Sequence, residues 1–187
     1  TEVIQFGTDA SKCIQREAKK LDEIQSQQSQ SNHKKRQELR KRLHRQIKRI
    51  RNKRDDLHWK IINYLTLNYK TIILPDFKTS QMVSKLHSKV ARSMNTLSFF
   101  QFKQRMITKC EERKVNLIIG DESYTTKTCT CCGIVDASCI DKITRLYHCK
   151  TCGIELDRDI VGSRNIYLKH TYQLCLEGKL VPKSIFG

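Results

Sequence analysis

The sequence predicts a mixed α/β fold with a helical arm and a small cysteine module, and three observations carry that prediction. Two short β-branched runs, Thr71-Ile72-Ile73-Leu74 and Val115-Asn116-Leu117-Ile118-Ile119, flank an amphipathic stretch from Leu97 to Lys114. Strand, helix, strand implies an α/β layer. Earlier, Leu39, Leu43, Ile47, Ile50, Leu57, Ile61 and Leu65 recur at helical spacings, so one long helix presents an apolar face there. Later, Cys129/Cys132 and Cys149/Cys152 form two CxxC pairs.

The opening apolar residues Val3, Ile4 and Phe6 read as a strand over residues 2–7, ended by Gly7-Thr8-Asp9, with a helix expected from Ser11 to Ile24. The polar run QSQQSQSN, residues 25–32, suits the tip of a helical hairpin. Pro75 stops the first short strand, and a polar loop is expected through about Ser93. In the helix from Leu97, the inward positions are Phe100, Met106, Ile107 and Cys110. A last helix is expected from Asp159 to Lys169. The chain opens without an initiator methionine, which suggests the C-terminal part of something longer.

The formal net charge of +17 over 187 residues makes a polyanion, nucleic acid above all, the natural partner. Much of that charge sits between residues 34 and 54. Lys34, Lys35, Arg36, Arg40, Arg42, Arg45, Lys48, Arg49, Arg51 and Lys53 far outnumber the acids nearby, and Lys127 and Lys150 add cations near the cysteines. A solvated hairpin is the plainer alternative for the arm. No apolar run reaches the roughly 18–20 residues that cross a bilayer, so no membrane partner is expected. The expectation is a soluble intracellular protein, nuclear in a eukaryote and otherwise cytoplasmic or viral.

Nine cysteines, an odd number with four in CxxC pairs, favour a metal in a reducing compartment over a disulfide framework. Each pair can fold into a knuckle that turns both sulfurs toward one ion, and Gly133 and Gly153 follow the second cysteine of each pair. Zn2+ bound by Cys129, Cys132, Cys149 and Cys152 is therefore expected in a closed, structural site. Cys131, Cys139 and His148 lie close by and are read as bystanders. Thr144-Arg145-Leu146-Tyr147-His148 should form a strand of the ribbon. Tyr124, Tyr147 and Phe99 are aromatics that stack bases or, more commonly, fill a core.

The run Tyr124-Thr125-Thr126-Lys127-Thr128-Cys129, the two knuckles, and Leu156-Asp157-Arg158-Asp159-Ile160-Val161-Gly162-Ser163-Arg164-Asn165-Ile166 together resemble the C-terminal half of TnpB and Fanzor proteins. These are transposon-encoded, RNA-guided nucleases, and miniature type V CRISPR effectors share this half. The similarity runs from about Thr66 to His170, and Ile73-Leu74-Pro75-Asp76-Phe77-Lys78-Thr79-Ser80 leans toward Fanzor.

The resemblance implies a partial RNase H-like (RuvC) fold lacking its first strand, with a long basic helical hairpin inserted and a four-cysteine zinc ribbon inserted later. It implies the segments 1–10 (RuvC strand remnant), 11–68 (basic arm), 69–125 (RuvC-like strand-helix-strand), 126–155 (target nucleic-acid-binding ribbon), 156–170 (last RuvC helix) and 171–187 (tail). Such nucleases use two Mg2+ ions held by three carboxylates. Asp159 matches the third of these, with Asp157 the weaker choice; its plainer role is a helix N-terminal acid. Where the second is usual the chain has Pro75, with Asp76 expected to face away, and Glu122 stands where a substitute glutamate arises; its plainer role is a solvated acid. The first carboxylate has no match, since Asp9 lies in the wrong context, and Val161 replaces a customary asparagine.

Three functions follow: a DNA-binding zinc-ribbon module that does not cut by itself, one half of a guide-RNA-directed endonuclease completed by an upstream segment, or a zinc-stapled scaffold for protein partners. The first is the expectation.

Overall fold

The computed structural model describes residues 4–76, 88–141 and 144–177. Two compact units divide the chain: Thr1–Lys70 with Phe77–Val115, and Thr71–Asp76 with Asn116–Gly187. The predicted loop at 77–87 lies outside the described residues, as does Val3.

The first unit is a helical hairpin with two further helices. Helix α1 spans Thr8–Ser29 and α2 spans His33–Asn68. No strand forms at residues 4–7, where Ile4 and Phe6 are exposed and Gly7, at φ 75°, starts α1. That glycine fits because a Cβ there would press Leu57 at 3.1 Å. The polar run expected to be the tip is mostly helical, since nothing in QSQQS breaks a helix already propagating. The chain ends α1 by its own serines: Ser29 Oγ donates to the Ser26 carbonyl (2.7 Å) and Ser31 Oγ to that of Gln27 (2.5 Å). Asn32 then caps α2, accepting from the Lys35 N–H at 3.1 Å.

The seam of α2 departs from the predicted apolar one. Its buried residues are Leu39, Gln46, Ile50, His58, Ile62 and Thr66, whereas Leu43, Ile47, Leu57, Ile61 and Leu65 flank them half-buried. Each buried polar group is bonded, as desolvation demands. Gln46 Nε2 donates to the Glu17 carbonyl (2.9 Å) and carboxylate (2.7 Å), while Lys53 Nζ reaches Glu17 (3.2 Å) and Cys13 Sγ (2.9 Å). The Gln46 amide and Lys53 hold the Glu17 carboxyl below its usual range although burial acts the other way.

Helix α3 spans Ser88–Leu97 and α4 Phe99–Arg113, so helix replaces part of the expected loop. Met106 and Cys110 of α4 are buried as predicted, Ile107 is half-buried, and Phe100 is 67% exposed against prediction. Helix α4 packs on α2, where Arg113 donates to Thr66 Oγ1 at 2.6 Å. It belongs to this unit and not with the strands that flank it.

His58 is the pivot of that packing. Its Nε2–H donates to the Leu97 carbonyl (2.9 Å), which leaves Nδ1 to accept from Arg105 (3.1 Å), itself paired with Asp55 (2.8 Å). Burial first, then the Arg105 and Arg54 charges, lower the His58 pKa from the ordinary 6.5. The unfolded chain therefore binds the extra proton more readily, so stability present above pH 6.5 declines as pH falls below it. Denaturant midpoints at pH 7.5 and 5.5 should show this loss, and His58→Gln should remove most of the difference.

The second unit holds two small sheets on one helix. Strands β1 (Thr71–Pro75) and β2 (Asn116–Gly120) run parallel, in register from Thr71↔Asn116 to Pro75↔Gly120. Strands β3 (Leu146–His148) and β4 (Glu155–Asp157) form an antiparallel ribbon. Helix α5, Arg158–Leu176, packs against β1, β3 and β4 and runs longer than predicted. Mixed α/β is therefore the observed class.

At the end of β2 the backbone and α5 come very close. A Cβ on Gly120 would lie 2.0 Å from His170 Nε2, and His170 is itself buried. Gly120→Ala is expected to cost about 1–3 kcal/mol through overpacking, read from denaturant unfolding. The double variant with His170→Ala should cost less than the sum of its two single changes.

Candidate metal centre and cationic face

The two cysteine knuckles are built alike. Cys129 N–H donates to the Ile134 carbonyl (2.7 Å) and Gly133 N–H to that of Cys129 (3.0 Å); Cys149 with Ile154 (3.0 Å) and Gly153 with Cys149 (2.9 Å) repeat the pattern. Gly133 and Gly153 take φ of 76° and 73°, the left-handed geometry that turns each knuckle back.

Four Sγ atoms, those of Cys129, Cys132, Cys149 and Cys152, lie within 4.8 Å of one another. Cys129 is 3.6 Å from Cys152, and Cys132 is 3.7 Å from Cys149. A tetrahedral ion with metal–sulfur bonds of about 2.3 Å sets its sulfurs about 3.8 Å apart, so the set fits zinc. Burial would raise the Cys129 thiol, yet the N–H groups of Cys132 and Cys131 outweigh it and bring it down to about 6. At Cys149 the N–H groups of Cys152 and Thr151 likewise lower the pKa. These dipoles favour the thiolate at Cys129 and Cys149, whereas Cys132 and Cys152, beside the sulfurs of the other cysteines, are shifted upward.

Behind the cysteines sits a small core of Cys129, Cys139, Tyr147, Cys149 and Val161, with Ile140, Ile154 and Leu156 packed on it. Tyr147 is fully buried, a core residue. Val161 is fully buried in this core. Of the bystanders, Cys131 is exposed, Cys139 is buried 3.5 Å from Asp136, and His148 is exposed beside Glu155.

Asn165 escaped the sequence reading as a functional residue. Its Nδ2 donates to the Thr125 and Thr128 carbonyls, both at 2.7 Å, and so fastens the loop before the first knuckle to α5. Gly162 lets that loop approach, since a Cβ would meet Thr126 Cγ2 at 3.1 Å. The short run Gly162-Ser163-Arg164-Asn165 held this signal.

Asp159 stands in the first turn of α5, 61% exposed, paired with Arg145 at 2.5 Å and with Arg158 at 3.7 Å. Asp157 caps the helix, accepting from the Asp159 N–H at 2.7 Å. Glu122, just beyond β2, has its pKa raised by burial and by the charges of Asp121 and Asp76. Among the described residues, the cysteines are the one group of three or more metal-donor side chains this close together.

Nine of the predicted arm cations, Lys34, Lys35, Arg36, Arg40, Arg42, Arg45, Lys48, Arg49 and Arg51, are exposed on α2, and none holds an ion pair among the described residues. Lys53 differs, being engaged with Glu17 and Cys13. Lys127 and Lys150 are exposed near the ribbon, Lys127 lying 5.8 Å from the Tyr124 ring centre and Lys150 donating to Ser138 at 2.9 Å. No described helix is long and apolar enough to cross a membrane.

Residues 99–166 match the family described as Cas12f1-like, TNB domain. The chain is 40% identical over 132 residues to the transposase-like A625R of Paramecium bursaria Chlorella virus 1, covering 71% of this chain and 29% of that protein. It is 30% identical over 151 residues to TnpB-like protein L79 of Acanthamoeba polyphaga mimivirus, covering 79% and 28%. It is 27% identical over 88 residues to the CRISPR-associated endodeoxyribonuclease Cas12f1 of Sulfoacidibacillus thermotolerans, covering 46% and 20%. The chain thus spans less than a third of the length of each of these relatives. Over that span it belongs to the TnpB-type proteins and carries their TNB domain.

Proposed function

We propose that this chain is a zinc-stapled DNA-binding module derived from a transposon-encoded, RNA-guided DNA endonuclease, and that by itself it binds DNA without cutting it. The observation that carries this reading is the row of nine exposed cations on α2 that hold no ion pair among the described residues. Uncompensated charge along the exposed surface of one helix suits a phosphate backbone, whose released counterions drive binding with little regard to sequence. Zinc at Cys129, Cys132, Cys149 and Cys152 would hold the ribbon closed, so that Lys127 and Lys150 ride on a fixed frame. A guide RNA would supply sequence choice by base pairing.

A second reading has one observation of its own: just beyond the carboxyl ends of two parallel strands, burial first and then the charges of Asp121 and Asp76 raise the pKa of Glu122. Glu122 and Asp159 would then be the carboxylates that hold Mg2+ in one half of an endonuclease completed by another segment. The metal would stabilise charge on the scissile phosphate. Incubating the zinc-loaded chain with single- and double-stranded DNA and Mg2+ separates the two. Binding without product supports the module, whereas cleavage abolished by Glu122→Gln and by Asp159→Asn establishes the second reading.

A further inference from the structure

Tyr124, in the loop between β2 and the first knuckle, takes φ 67°, a left-handed conformation that aromatic residues avoid. Its side chain is 68% exposed, so no packing against the core offsets the strain. The loop is nonetheless fastened tightly. The Tyr124 carbonyl accepts from the N–H groups of Lys127 (3.0 Å) and Thr128 (3.1 Å) and from Thr128 Oγ1 (2.9 Å). Asn165 then pins Thr125 and Thr128 to α5. The ring is therefore held out into solvent by the fold, and backbone strain of this kind concentrates at sites that bind.

Beside the ring lies a pocket of about 550 Å³ whose walls include Tyr124, Thr130, Cys131, Leu168 and Lys169. That volume falls within the usual range of small-ligand sites. Lys127 Nζ lies 5.8 Å from the centre of the Tyr124 ring. Lys169 is already held by Asp121 at 2.9 Å, so Lys127 is the cation left to face an anion.

We propose that this pocket takes one unpaired base of a single-stranded nucleic acid, stacked on Tyr124 and followed by a phosphate at Lys127. A base within a duplex has no free face to offer, so the site selects single strands. This inference rests on the nucleic-acid-binding reading above and adds to it a place where a base is held.

The test uses the full zinc-loaded chain with matched DNA and RNA oligonucleotides, each carrying a single 2-aminopurine, and the same DNA as a duplex. Stacking on Tyr124 quenches the probe in the single strand, and whichever of DNA or RNA shows the quench is the source of the base. Tyr124→Phe retains it. Tyr124→Gly, which relieves the left-handed strain, is expected to keep or raise Tm yet weaken single-strand binding about 5- to 150-fold, leaving duplex affinity unchanged. Equal single-strand affinity for wild type and Tyr124→Gly, or a parallel loss on duplex, overturns the proposal. Failure of the wild type to bind either form would instead overturn the nucleic-acid reading beneath it.

Discussion

Replacing Cys149 with serine is expected to abolish metal binding and unfold the ribbon. Cys149 is 1% exposed and shares its small core with the fully buried Tyr147 and Val161, so its sulfur serves packing and ligation together. The ribbon has little else to hold it: β3 and β4 are three residues each. Structural zinc contributes about 10–16 kcal/mol in small zinc-finger peptides. That matches or exceeds the whole stability of a typical domain, about 5–15 kcal/mol. Zinc content should fall to near zero, and new proteolytic cuts should appear between residues 129 and 157. The hairpin of α1 and α2, with its own buried network around Glu17, should keep its helical circular dichroism. Cys131→Ser is the control, since Cys131 is exposed and outside the tetrad, and it should leave zinc content unchanged.

Replacing Arg40, Arg42, Arg45, Lys48, Arg49 and Arg51 together by glutamine is expected to weaken DNA binding by orders of magnitude without unfolding α2. Glutamine has nearly the helix propensity of arginine and lysine, and none of the six holds an ion pair among the described residues that the change would break. Every phosphate that is no longer neutralised should lower the slope of log affinity against log salt by about 0.9 for duplex DNA. Lys53→Gln should behave differently. Its ammonium serves the buried Glu17, so the change should reduce stability and leave the salt slope alone.

Local signals served the sequence reading well. The strands at 71–75 and 116–120, though not their parallel pairing, were legible because short apolar runs bounded by Pro75 and Gly120 allow little else. The cysteine set was legible because ligand spacing and two glycines specify a knuckle without any distant partner. What failed depends on partners far along the chain. The seam of α2 buries Gln46, His58 and Thr66 because Glu17, Arg105 and Arg113 satisfy them, and periodicity counts only apolar residues. The engagement of Lys53 with Glu17 and Cys13 was not legible for the same reason. Phe100 faces solvent although it sits on an amphipathic helix, and the environment of the helix, not its pattern, decides that. Tyr124 looked like core filler because its exposure follows from a left-handed backbone that no residue type announces.

The central claim is that a zinc-closed ribbon and a cationic helix grip nucleic acid through its phosphates. Its most direct test is the affinity of the zinc-loaded chain for a duplex of arbitrary sequence, measured across a salt series. The account predicts binding that is similar for unrelated sequences and falls steeply and linearly on a log–log plot as salt rises. Affinity independent of salt, or no binding even at low salt, would contradict it.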